Sequence, residues 1–161
     1  MSAEPADVRQ HLHRILVEEG QLMLELERLL QQEVTILQGE DADRIARIGA
    51  VRHRCVEALM RLEQERADLT RMLSFGDGRG AIDRLLEWCD EDAVLRTRWQ
   101  ATLEIARRCK DINDRNGAIV GARLRRVQTL LAAMRGAAPP PVYGAGRTAQ
   151  QTLPGRQLGQ A

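Results

Sequence analysis

Two neighbouring columns of aliphatic residues recur every seven positions up to Leu37: Ile15, Leu22, Leu29 and Ile36 in one, Leu16, Met23, Leu30 and Leu37 in the other, flanked by Leu12 and Leu26. Seven residues are two helical turns, so both columns lie on one side of a single long helix. The stripe they make is wider than the seam of a simple two-stranded coil, and it must touch more than one neighbouring helix. The helix is expected to begin near Ser2 to Pro5, a hydroxyl cap followed by proline in the first turn. At 1.5 Å per residue it spans about 50 Å.

Gly39 to Asp43 interrupts this pattern, and Asp41 or Asp43 can cap a second helix. Its register runs through Ile45, Ile48, Cys55, Leu59, Leu62, Leu69 and Leu73, with Arg52 and Arg66 at two seam positions where apolar side chains belong. Arginine stems at such positions usually snorkel at the seam's edge. Two long helices joined by a short loop form an antiparallel hairpin. The glycine-rich stretch FGDGRG at 75–80 lacks the GxxxxGK[ST] pattern and follows a helix instead of a strand, so it is expected to be a linker or turn and not a phosphate cradle. Residues 82–89 form a short amphipathic helix. Asp90 to Asp92 end it and cap the last helix, expected over 93–135 and carrying Leu95, Trp99, Leu103, Ala106 and Cys109.

At 161 residues the chain suits one domain. It is 43% hydrophobic with one Phe, one Tyr and two Trp, so its core is built from Leu, Ile, Val, Ala and Met, the composition of packed helices. The expected fold is all-α: an elongated antiparallel helical hairpin or coiled-coil bundle of two long helices, a short helix and a long last helix, over residues 1–135. Residues 136–161 are rich in Pro, Gly, Ala and Gln, without an acidic residue or an apolar period. Such a tail cannot bury enough surface to offset its ordering entropy and is expected to be disordered.

The sequence holds little that points to catalysis. His11 and His13 are two apart and diverge on a helix, as do His53 and Cys55, so a shared metal is not expected. Glu18, Glu19, Asp90, Glu91 and Asp92 sit in runs that read as solvated faces or caps. No pattern forms the water-poor pocket a general acid and base require, and neither an enzyme nor a cofactor is expected. Cys55, Cys89 and Cys109 are odd in number and widely spaced, which suits core thiols in a reducing compartment. A net charge of +1 and arginines without an aromatic platform argue against nucleic acid. The absence of an apolar run near ~18 residues argues against membrane insertion, and the expected location is the cytoplasm.

Binding another protein is the better account. The stretch CKDINDRNGAIVGARLRRVQTLLAAM, 109–134, passes from a polar block with Asn113, Asn116 and Gly117 into an apolar series, Val120, Leu124, Val127, Leu131 and Met134, on one helical face. Arg123, Arg125 and Arg126 are placed opposite, in solvent. That face can hold an amphipathic partner helix, or simply pack on the hairpin. Asparagines in a seam fix register at a cost in stability, whereas on the outside they only face water. In the tail, Tyr143 between PPP and GAG is a lone aromatic anchor.

The last helix with its early Trp, the block NDRNGAIVGARLRRVQTLL and the tail motif VYGAGR together resemble the FlgN-type flagellar export chaperones. The resemblance implies a cytoplasmic chaperone of type III export. Such a chaperone binds the C-terminal amphipathic helices of the hook-filament junction proteins, prevents their premature assembly and delivers them to the flagellar export gate. Carried onto this chain, it implies a client-binding face of Ile119, Val120, Leu124, Val127, Leu130, Leu131 and Met134, and export-gate docking through Tyr143 and Gly144. The competing account is a generic coiled-coil adaptor or structural protein that uses the same helices to form a homo-oligomer.

Overall fold

The computed structural model describes residues 4–39 and 41–135. Four helices succeed one another: α1 (Pro5–Leu37), α2 (Ala42–Met72), α3 (Arg79–Cys89) and α4 (Val94–Met134), and no strand occurs among the described residues. The all-α expectation holds. The chain divides into two compact units, 1–123 and 124–161. The first contains α1 to α3 and α4 up to Arg123.

Each helix boundary has a local cause. Proline stands at the start of α1, where its missing N–H costs nothing. The residue at the cap is Glu4, which makes no side-chain cap bond, instead of the expected hydroxyl. Asp41 caps α2 by accepting the Arg44 backbone N–H at 2.9 Å. The turn into α3 uses left-handed backbone at Gly76 and Gly78, where a side chain would strain it. The FGDGRG segment is only partly a linker, because α3 begins at Arg79 and takes Gly80 into its first turn. Asp90 ends α3, and its buried carboxylate accepts the N–H groups of Leu95 and Arg96 at 3.1 and 2.8 Å, as expected of a cap.

The partners of α1 fix the topology of the first unit. Toward α2 they run in opposite order: Glu19 with Arg66, the Leu22 carbonyl with the Cys55 thiol, Glu33 with Arg52. This is the antiparallel hairpin. Toward α4 they keep a constant offset of 81 to 86 positions, from Arg9–Asp92 through Glu27–Arg108 and Leu30–Asn116 to Gly39–Arg123. A constant offset means that α4 lies parallel to α1.

The wide stripe on α1 is thereby accounted for. At its N-terminal end Val8, Leu12 and Leu16 pack with Ile82, Leu85, Leu86 and Leu95, where all four helices contribute, and Leu69 and Trp99 lean on this cluster. Farther along, Leu29 and Ile36 meet Ile48 and Cys55 of α2. The adjacent column turns to α4, with Leu30 against Cys109 and Ile112. Each fully buried leucine or isoleucine contributes about 1.5–3 kcal/mol, and Leu12, Ile15, Leu16, Leu85, Leu86 and Leu95 are of this kind.

Candidate functional site

The polar block of the last helix does not interrupt it, since α4 is continuous through Asn113, Asn116 and Gly117. The two asparagines part company. Asn113 faces solvent. Asn116 is 2% exposed, and its amide donates to the Leu30 carbonyl and to Glu33 Oε2, both at 3.0 Å. Arg52 Nη1 donates to the same Glu33 oxygen at 3.0 Å. One carboxylate therefore ties α1, α2 and α4 together in a single layer, and Arg52 is held at the seam's edge by a partner. Gly117 is exposed, with nothing near where a Cβ would stand.

A second polar layer lies nearer the N-terminus of α1. Glu19 is buried, contrary to the solvated face expected for it, and accepts from Arg66 Nε at 3.2 Å. Arg66 does not snorkel: its guanidinium sits 4.6 Å from the centre of the Trp99 ring, with only 16% of the side chain exposed. Burial pushes the Glu19 carboxyl above its ordinary range, and this outweighs the opposing pull of Arg66. An aliphatic-looking seam concealed this pair, because the mate of each charge stands on another helix far off in sequence.

Past the Asn116 layer the last tie between α4 and the hairpin is Arg123 Nη1 donating to the Gly39 carbonyl at 3.1 Å, two residues beyond the end of α1. Arg123 thus lies on the apolar sector of α4 and not opposite it, whereas Arg125 and Arg126 are exposed as expected. Ile119 is half-buried. Val120, Leu124, Val127, Leu130, Leu131 and Met134 are 44–83% exposed. At about 100° per residue, Ile119 and these six fall within about 140° of the helix circumference. The buried residues Cys109, Ile112 and Asn116 occupy the same sector of α4. Along this sector Cys109, Ile112 and Asn116 are buried, whereas the large aliphatic residues from Val120 on are exposed. Tyr143 and Gly144 lie outside the described residues.

No group of three or more His, Cys, Asp or Glu side chains among the described residues is placed to hold a metal ion. His11 pairs with Glu65 at 3.1 Å and His53 with Glu57 at 3.4 Å, both at the surface. Among the described residues no helix is long and apolar enough to cross a membrane. Burial raises the thiols of all three cysteines, Cys109 to about 11, away from the thiolate form that nucleophilic chemistry needs.

In comparison with known families, the sequence model of the family described as FlgN protein aligns with residues 1–151. No curated protein and no solved structure matches the chain.

Proposed function

The chain belongs to the FlgN family, flagellar export chaperones that bind flagellar substrate proteins, and on that premise we propose that it is the cytoplasmic chaperone of the hook-filament junction proteins. Its client ligand is the amphipathic C-terminal helix of those proteins. That helix is meant to pair with neighbours in the assembled filament, so it must be shielded until export. The observation that carries this reading is the row of exposed aliphatic side chains on α4, Val120, Leu124, Val127, Leu130, Leu131 and Met134, with Ile119 at its near end. An amphipathic helix laid against this row buries apolar surface on both partners at about 25 cal/mol per Å². Asn116 and Glu33 hold α4 in register on α1 just before the row begins.

Delivery to the export gate is assigned to Tyr143 with Gly144, the aromatic anchor of the tail 136–161. Helical domain and tail then have separate tasks, capture and hand-over, and neither needs a nucleotide or a metal. Calorimetric titration of the full chain with a peptide from the C-terminus of a cognate junction protein tests the assignment. Saturable binding is expected, abolished by Val127→Asp and kept when the chain is cut after Gly136. Absence of binding to either junction protein by a folded sample would refute it.

A further inference from the structure

The hairpin carries a second concave surface that the α4 face does not use. Near the loop that joins α1 to α2, the seam between them opens into a groove of about 410 Å³. Its floor is Leu29, Ile36 and Ile48, which pack on one another and are only 3–9% exposed, so that Val51, 37% exposed, is the most open apolar side chain of the lining. Its charged rim consists of Arg28, Arg44 and Arg47, and among the described residues no carboxylate lines it. In a chain of net charge +1 this is a local concentration of one sign. Arg28 is held by Glu25 at 2.5 and 2.8 Å. The side chains of Arg44 and Arg47 have no ion-pair or hydrogen-bond partner among the described residues. Besides Glu25, the described acids nearest in sequence to Arg44 and Arg47 stand at the start of α2: Asp41, committed to the Arg44 backbone N–H, and Asp43 in the first turn.

On α1 the residues that meet α4, Met23, Glu27 and Leu30, and those that line this groove, Arg28, Gln32 and Thr35, fall on opposite sectors at about 100° per residue. A ligand here does not compete with α4. An apolar floor under two unpartnered guanidinium forks recognises a ligand that supplies aliphatic side chains in a row and carboxylates flanking them. Both groove walls are helices whose backbone bonds are internal, so no edge is offered to an extended strand. A third helix packed ridge-into-groove is the geometry that remains. Among the described residues no aromatic ring lines the groove, which leaves nucleic-acid bases nothing to stack on.

We propose that the α1–α2 groove at the hairpin loop is a second docking site, for an acidic amphipathic helix of a partner protein, independent of the α4 face. Calorimetry on the full chain provides the test, with a synthetic helix of roughly four turns carrying a leucine stripe flanked by glutamates, and the same peptide with lysines for glutamates. The glutamate peptide binds saturably and the lysine peptide does not. Reversing both forks, Arg44→Glu with Arg47→Glu, weakens the glutamate peptide about tenfold or more and admits the lysine peptide. Both arginines are exposed, so the variant keeps its far-ultraviolet circular dichroism. Val51→Glu weakens the glutamate peptide through the floor, while Val127→Asp leaves it unchanged. The proposal is overturned by equal binding of the two peptides, by no binding, by indifference to the arginine pair, or by loss of binding in Val127→Asp. It is overturned equally if an RNA oligonucleotide or a phosphatidylserine vesicle binds through these arginines in preference to the glutamate peptide.

Discussion

Replacing Asn116 by alanine should cost far more than replacing Asn113, although the two stand three residues apart in the same polar block. Asn116 donates one bond to a neutral carbonyl and one to the Glu33 carboxylate. Losing these removes about 1 kcal/mol and about 1.5–3 kcal/mol respectively. Two effects offset part of the loss. Alanine is the better helix former by about 0.6 kcal/mol, and Asn116 Oδ1, buried without a partner, disappears with the amide and returns about 1 kcal/mol. Arg52 still holds the Glu33 oxygen, so no carboxylate is stranded and the loss stays below the 3–5 kcal/mol of a broken buried pair. The net destabilisation is about 1–2.5 kcal/mol, a sizeable share of a typical domain's ~5–15 kcal/mol. At exposed Asn113 only the propensity gain applies, roughly half a kcal/mol of stabilisation. Urea unfolding followed by far-ultraviolet circular dichroism measures both, and a double-mutant cycle with Glu33→Ala should return a coupling of about 1.5 kcal/mol or more. Equal shifts for Asn113→Ala and Asn116→Ala would refute the three-helix layer.

Four further outcomes rest on the surroundings of single residues. Gly117→Ala should stabilise by about 0.8–1 kcal/mol in the same urea series, because nothing lies within 4 Å of the new Cβ. Gly20→Ala should gain clearly less, since its Cβ would stand 3.3 Å from Thr102 Oγ1, itself bonded to the Arg98 carbonyl. The raised Glu19 carboxyl favours its neutral form in the folded chain. Its contribution is therefore complete below the ordinary value of 4.5 and is lost as pH climbs through the raised one. Glu19→Gln should accordingly gain on the parent as pH rises from about 4 to 7, and a constant or falling difference in unfolding free energy would contradict the burial of this carboxyl. The three thiols are buried, with Cys109 raised to about 11. A disulfide reagent at about pH 8 should label the native chain only as fast as it opens, and prompt labelling would count against the packing.

The heptad columns of α1 called for neighbours on two sides through their double width, and Ile36 and Leu30 went to α2 and α4 respectively. Asp41 and Asp90 acted as the caps their positions suggested. The polar pairs were not legible: Glu19 and Arg66 are 47 positions apart, Glu33 and Asn116 are 83 apart, and only packing reveals that each buried charge has a mate. Periodicity likewise could not separate the covered part of α4 from its exposed part. Cys109, Ile112, Val120 and Leu124 share one sector with the same spacing, yet the first two are buried and the last two exposed, a difference that the pattern of α4 does not carry.

The central claim is that the exposed row on α4 receives the client's terminal helix. A photo-crosslinking side chain placed at Leu131 in the full chain, mixed with an intact junction protein and mapped by mass spectrometry, tests it most directly. Crosslinks into the C-terminal helix of the junction protein, lost when that helix is deleted, are expected. Crosslinks only to a second copy of the chaperone, undiminished by excess junction protein, would contradict it and make this face an oligomer interface.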